Sequence, residues 1–154
     1  MSTRSTIAIE NADGTVKKVY CHFDGYIKHN GQILAEHYSN YADWKALCLG
    51  KDIRGIDPRN GVAKPEFYDH PEDTPFWPTP YANYADYVAS IDHLFHEYNY
   101  IMRKDGKMEV IIGNHRNPSK AKPKSLKRCV GRIKAKQFLK TKNSMNVLDE
   151  NATI

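Results

Sequence analysis

The fold of this chain is decided by residues 6–23, which read TIAIENADGTVKKVYCHF. Each half of the stretch alternates β-branched residues with others, as a half-buried strand does. Between the halves lies Asp13-Gly14, a pair that readily adopts the positive φ of a tight hairpin turn. The stretch therefore predicts that the chain opens with a β-hairpin.

Helical and strand patterns follow this hairpin. Apolar residues recur at helical spacing over residues 33–48 and again over residues 84–95. A second hairpin is predicted for residues 98–113. Residues 51–80 contain six prolines, which remove backbone donors and predict an irregular loop. The predicted body is ββααββ, an α+β fold with one antiparallel sheet packed against two helices.

Two similar pentapeptides stand at the starts of helical patterns. They are Asn40-Tyr41-Ala42-Asp43-Trp44 and Asn83-Tyr84-Ala85-Asp86-Tyr87. Asn is a favoured N-cap, and an Asp three residues later lies at the positive end of the helix dipole. The recurrence therefore predicts two helix starts rather than an internal repeat.

The charges divide the chain into two parts. Residues 1–113 carry 12 Lys/Arg and 16 Asp/Glu, a net charge of −4, whereas residues 114–154 carry 11 Lys/Arg and 2 acids, a net charge of +9. We therefore predict an α+β body over residues 1–115 and a basic C-terminal arm over residues 116–154, formed by a helix and a frayed tail. The body is expected to fold without the arm.

The composition excludes several classes of protein. The chain has 154 residues, 40% of them hydrophobic and 27% charged, which is typical of a globular domain. No apolar run approaches the ~20 residues of a membrane-spanning helix. The N-terminus shows no signal-peptide h-region, and three scattered cysteines make no disulfide framework. We therefore expect a cytoplasmic protein without a membrane partner.

The opening of the chain resembles a family of short proteins of tailed phages and prophages. The resemblance is carried by RSTIAIEN at 4–11, DGTV at 13–16, VYCHFDGY at 19–26 and a G-x-x-L-x-x-H-Y pattern over 31–38. Phe23 stands where the family usually has Trp. The resemblance implies a phage product acting in the cytoplasm of an infected bacterium, in host takeover or counter-defence. It implies no reaction.

Three side chains of that signature, His22, Asp24 and Tyr26, are candidates for a small pocket. Together with Cys21 they include the thiol, imidazole and carboxylate that nucleophilic catalysis uses. Neighbouring residues of a strand point to opposite faces, however, which separates Cys21 from His22. The sequence favours a structural corner and predicts no catalytic residue. A small-ligand binder or an enzyme that uses this corner is an alternative.

Metal and cofactor motifs are missing from the sequence. The cysteines and histidines lack the paired spacing of a zinc site, and His93 and His96, spaced i, i+3, have no complete ligand set beside them. The common nucleotide, hydrolase and redox motifs do not occur. We therefore predict no metal, no cofactor and no recognisable enzyme.

The basic arm is the main candidate for function. Its cations gain affinity by releasing counterions from DNA or RNA, whatever the base sequence. The alternatives are an acidic host protein, an anionic membrane and a solvated tail that aids solubility. A nearly aromatic-free apolar face argues against the membrane. The candidate binding residues are Lys120, Lys122, Lys124, Lys127, Arg128, Arg132, Lys134, Lys136, Lys140 and Lys142.

Aromatic residues of the proline-rich loop 65–81 are the second candidate, because aromatic side chains often anchor protein interfaces. The candidate interface residues are Phe67, Tyr68, Phe76, Trp77 and Tyr81. We expect a phage-encoded, non-enzymatic accessory protein that binds a host nucleic-acid machine or nucleic acid itself. The alternative is an inhibitor that binds a host or defence enzyme through this loop.

Overall fold

The computed structural model describes residues 2–57, 64–68 and 80–152, with side chains up to Ser144. Within these ranges the chain forms one seven-stranded sheet and four α-helices, so the predicted α+β class is confirmed. The strands are β1 (Ser5–Glu10), β2 (Val16–Cys21), β3 (Ile53–Asp57), β4 (Lys64–Phe67), β5 (Tyr98–Met102), β6 (Met108–Ile112) and β7 (Lys124–Ser125). The helices are α1 (Gln32–His37), which follows a π-helical turn at Ile27–Gly31, then α2 (Tyr41–Leu47), α3 (Tyr84–Ala89) and α4 (Leu126–Ala152).

The sheet has the strand order β4-β3-β2-β1-β5-β6-β7. Both predicted hairpins are confirmed, since β1 pairs with β2 and β5 with β6 in antiparallel fashion. The prediction of a wholly antiparallel sheet is wrong, because β1 and β5 run parallel, with Ile7 opposite Tyr100. Every residue of β1 is buried, as is usual for a strand in a parallel pair. The alternating pattern of the β1 sequence had indicated a strand with only one buried face.

Helices cover both faces of the sheet rather than one. On the first face, α1, α2 and α4 enclose a core that includes Ile7, Ile9 and Trp44. The indole Nε1 of Trp44 donates a hydrogen bond to the carbonyl oxygen of Ala8 at 2.7 Å. On the opposite face, α3 packs Tyr87 against Ala8 and Ile101. The predicted layer of two helices is therefore corrected to helices on both sides.

The two predicted helix starts are confirmed. The Oδ1 of Asn40 accepts a hydrogen bond from the amide of Asp43 at 2.8 Å, and Asn83 makes the same bond with Asp86 at 2.8 Å. The first predicted helix is in fact two, because the Asn40 cap begins α2 after α1 has ended. Asn caps of this kind satisfy an amide that has no partner within the helix.

The proline-rich segment contains two strands that the sequence did not predict. β3 follows β2 in the sheet, and β4 forms an outer strand that pairs with β3 and includes Pro65. Proline lacks an amide donor, so it is tolerated on an edge strand, where one side needs no ladder bond. The proline count alone therefore overestimated the irregular part of residues 51–80.

The start of the basic arm belongs to the core. Leu126 is fully buried and Val130 is 5% exposed, and both lie in the same cluster as Trp44. The strand β7 immediately before them pairs with β6. The core therefore extends beyond residue 115 into the arm, which argues against a body that folds without it. The apolar side of this amphipathic helix has its partner within the same chain.

No helix in the described ranges combines the length and apolarity that crossing a membrane requires.

Candidate nucleic-acid interface

Helix α4 leaves the body after its first two turns. Leu126 and Val130 hold its N-terminal part against the core, and Ile133 is half-buried. From Lys134 to Ser144 every residue is exposed. With 27 residues at ~1.5 Å each, α4 is about 40 Å long, which exceeds the ~30 Å diameter of a small domain. The helix is therefore anchored at its N-terminal end and presents its later turns to solvent.

All ten cationic residues predicted for the interface are exposed. Lys134 forms an ion pair with Glu36 of α1, which holds the pKa of that carboxyl below its usual range. Among the described residues, none of the other nine forms an ion pair. Their charges are therefore available to an external anion.

The chain before α4 shapes a second part of this basic surface. A short 3₁₀ turn at Pro118–Lys120 leads into an extended stretch that ends in β7. Lys120, Lys122 and Lys124 line a pocket of about 230 Å³ together with Gly113 and Asn114. The charge pattern of the sequence indicated the three lysines but not these two neighbours. The Lys-x-Lys-x-Lys spacing before β7 is the signal that could have indicated the pocket.

The loop beside this pocket is held by specific hydrogen bonds. The amide of Asn114 donates to Nδ1 of His93 at 3.1 Å, and Oδ1 of Asn114 accepts from the amide of Asn117 at 3.1 Å. Because His93 accepts through Nδ1, its imidazole is part of the loop structure. In the described residues no three His, Cys, Asp or Glu side chains form a group that could hold a metal.

The structure does not join His22, Asp24 and Tyr26 into one cluster. The Nδ1 of His22 shares a hydrogen bond of 2.6 Å with the Tyr20 hydroxyl instead. Asp24 is exposed at the turn, with a φ of 55° in the left-handed region, which Asp tolerates better than most residues. Tyr26 is 38% exposed. His22, Asp24 and Tyr26, all described in the structure, form no hydrogen bond with one another. The pocket proposed for them stays a prediction.

The same segment forms a packed corner. The amide of Gly25 donates to the carbonyl oxygen of Thr3 at 2.8 Å. A Cβ at Gly25 would lie 2.7 Å from the Cβ of Ser5, so only glycine fits this approach. Asn30 is fully buried, and its side-chain amide donates to the carbonyl oxygen of Phe23 at 3.1 Å. These contacts give the signature residues a structural role.

Cys21 and Cys48 are unsuited to nucleophilic catalysis. Burial raises the pKa of the Cys21 thiol to about 11, and full burial raises the pKa of Cys48 as well. A thiol attacks as thiolate, which neither residue forms near neutral pH. Cys129 lies half-buried on α4.

The aromatic candidates of loop 65–81 are only partly described. Phe67 packs against the main core, and Tyr81 packs against the cluster around Tyr87. Tyr68 is half-buried, and its amide donates to the carbonyl oxygen of Asp52 at 3.0 Å. Phe76 and Trp77 lie outside the described residues. The three described members therefore contact the body.

Comparison with known proteins finds no matching family model, no matching curated protein and no matching solved structure. The assignment of function therefore depends on the residues of this interface.

Proposed function

We propose that this protein is a phage-encoded, non-enzymatic accessory protein that binds DNA or RNA through residues 120–142. One observation carries the proposal. Helix α4 is anchored to the body, and the ten cationic residues on it and just before it are all exposed. The setting in an infected bacterium comes from the resemblance of the N-terminal signature to phage proteins. Host takeover or counter-defence is the process proposed for it.

The charge distribution supports an oriented encounter with a polyanion. The segment before residue 114 has a net charge of −4, and the segment after it has a net charge of +9. A nucleic acid is therefore attracted to the arm and repelled by the body. Because the cations surround the exposed turns of α4 on several sides, they match phosphates rather than particular base edges. Binding is expected to be independent of sequence.

An acidic host protein is a second candidate partner for the same helix. Phe138 is 66% exposed and Leu139 is 56% exposed, and both stand among the lysines of α4. Exposed apolar residues within a cationic helix are typical of a docking helix for an acidic groove. This partner would depend on the two apolar side chains as well as on the charges.

Salt titration of nucleic-acid binding tests the proposal. With the full chain and fluorescent DNA and RNA, we expect log K to fall with log[salt] at a slope of about −4 to −8, one unit per phosphate contact. The triple substitution of Lys136, Lys140 and Lys142 to Gln should reduce this slope by about 3. Absence of measurable affinity for DNA and RNA at ~50 mM salt would contradict the proposal.

Three exposed lysines of the body provide the matched control. Substitution of Lys28, Lys45 and Lys51 to Gln changes the net charge by the same amount but leaves the arm intact. The salt slope should then stay unchanged. Replacement of Phe138 and Leu139 by Gln separates the two partners, because nucleic-acid affinity should survive and docking on an acidic protein should not.

A further inference from the structure

We infer that the pocket lined by Lys120, Lys122 and Lys124 binds a single phosphate group of the bound nucleic acid. This inference rests on the proposed function and assigns one contact within it. The pocket has a volume of about 230 Å³. A space of this size admits one phosphate group together with part of its water.

The backbone directs the three lysines to the same place. Lys120 ends the 3₁₀ turn, and Lys122 and Lys124 follow on the extended stretch, in which residues i and i+2 project to one side. Pro123 restrains its own φ and keeps the preceding Lys122 extended. Lys124 lies opposite Val110 in the pairing of β7 with β6, and Ala121 packs against the body. The backbone therefore brings the three lysines to one pocket.

Backbone hydrogen bonds hold part of the chain that lines the pocket. The amide of Lys120 donates to the carbonyl oxygen of Asn117 at 3.0 Å. The amide of Ala121 donates to the carbonyl oxygen of Pro118 at 3.1 Å. The amide of Gly113 donates to the carbonyl oxygen of Glu97 at 2.8 Å. A pocket with a preformed backbone loses less conformational entropy on binding than a flexible loop does. The site is thus suited to hold a phosphate at one position.

The segment that carries the pocket lysines is positively charged. Residues 110–148 contain no Asp or Glu. Among the described residues, Lys120, Lys122 and Lys124 form no ion pair. Three ammonium groups around one pocket favour an anion with several acceptor oxygens, and phosphate is the anion that a nucleic acid repeats along its backbone.

The pocket adds a property that the exposed helix lacks. Lysines spread along the exposed turns of α4 attract phosphates at many positions, whereas a phosphate held in one pocket sets the position of the strand relative to the body. The nucleic-acid strand is then held at one point beside β7, and the cations of α4 attract its other phosphates. The body consequently keeps one orientation on the nucleic acid.

Two isocharged variants of the full chain test this inference. In one, Lys120, Lys122 and Lys124 become Gln, and in the other Lys136, Lys140 and Lys142 become Gln. The pocket variant should reduce the salt slope by about 1, because it removes one phosphate contact, whereas the helix variant should reduce it by about 3. At one salt concentration the pocket variant should lose at least about tenfold more affinity than the helix variant, because only it removes the fixed contact. All six lysines are exposed, so both variants should melt as the wild type does.

Titration with inorganic phosphate gives a readout that does not depend on nucleic acid. At constant ionic strength, the amide NMR signals of Gly113, Asn114 and Ala121 should shift in the wild type and in the helix variant, but not in the pocket variant. Equal loss of affinity in the two variants, or phosphate shifts spread evenly along α4, would overturn the inference. If phosphate shifts the pocket signals while DNA and RNA do not bind, the pocket stands as a site for free phosphate and the proposed function fails.

Discussion

The hydroxyl of Tyr100 donates a hydrogen bond of 2.5 Å to the carbonyl oxygen of Gly25, which lies 75 residues earlier in the chain. Both partners are buried, and Tyr100 belongs to β5 while Gly25 follows β2. The bond therefore joins the N-terminal signature to the strand that runs parallel to β1. The bond gives the turn at Gly25 a role in the fold, although Asp24 and Tyr26 beside it are side chains that can also bind ligands.

Removal of this hydroxyl should destabilise the protein without changing its fold. Tyr100→Phe leaves the carbonyl oxygen of Gly25 buried without its donor, and we expect the free energy of unfolding to fall by ~1–3 kcal/mol. Urea denaturation measures the change. Tyr98→Phe is the control, because Tyr98 lies on the same strand and is only half-buried. An equal loss in both variants would contradict the importance of the Gly25 contact.

Two glycine substitutions should have opposite effects. Gly25→Ala places a Cβ 2.8 Å from the carbonyl oxygen of Thr3, so we expect the free energy of unfolding to fall by ~1–3 kcal/mol. Gly131→Ala meets no atom within 4 Å on an exposed part of α4, and it should raise the stability by ~0.5–1 kcal/mol through helix propensity. Thermal unfolding distinguishes the two. A stable Gly25→Ala variant would show that the corner can open without cost.

Shortening the arm should reveal where the folded unit ends. A chain that stops after Asn114 loses β7, Leu126 and Val130, and we expect it to be largely unfolded. A chain that stops after Lys134 keeps these contacts and should retain its melting temperature, while it loses the cations beyond that point. Leu126→Ala should cost ~2–5 kcal/mol. Circular dichroism during heating measures all three. A fully stable chain ending at Asn114 would contradict the packing of α4.

Acid should weaken one buried ion pair. Glu10 is 4% exposed, and its Oε1 accepts hydrogen bonds of 3.0 Å from Nε of Arg103 and from the amide of Lys104. Burial alone would raise the pKa of Glu10, but these donors and the nearby positive charge hold the pKa below its usual range. The carboxylate therefore adds stability at neutral pH, and this stability is lost as the pH falls through the lowered pKa.

The variant Glu10→Gln tests that dependence. Its deficit in free energy of unfolding relative to the wild type should be largest near pH 7 and should shrink below about pH 4. Glu66→Gln, at an exposed position of β4, provides the control and should show little deficit at either pH. A deficit of Glu10→Gln that does not change with pH would indicate a packing effect instead.

The thiols should react in an order set by burial. At pH 8 a disulfide reagent should modify Cys129 in the folded protein, whereas Cys21 and Cys48 should react only after unfolding in urea. The variant Cys129→Ser should then show almost no reactive thiol in the folded state. Rapid modification of Cys21 would contradict its raised pKa and would restore the catalytic interpretation of the signature.

Local chemistry was sufficient to predict several elements of the fold. The Asp-Gly turns form as expected, with a φ of 88° at both Gly14 and Gly106. The Asn caps of α2 and α3 form because a side-chain oxygen reaches an amide only three residues away. Such features depend on neighbouring residues, so the sequence contains nearly all the information they need. The exposure of the basic residues belongs to the same group.

Other features depended on contacts between distant residues. β1 and β5 run parallel within a sheet that helices from distant parts of the chain cover on both faces. The partner of His22 is Tyr20 and not Asp24, because the strand places alternate residues on one side and the turn directs Asp24 away. Neither outcome can be read from the spacing of a single segment.

The basic arm shows this division most clearly. Its sequence alone determined that a cationic helix with an apolar side begins near Leu126, because periodicity and charge are local properties. The tertiary structure decided that this apolar side packs on the body of the same chain, leaving the cations outside and bringing Lys120, Lys122 and Lys124 around one pocket. An apolar stripe in the sequence indicates only that this side of the helix is buried. Which surface buries it depends on the shape and free area of every other element.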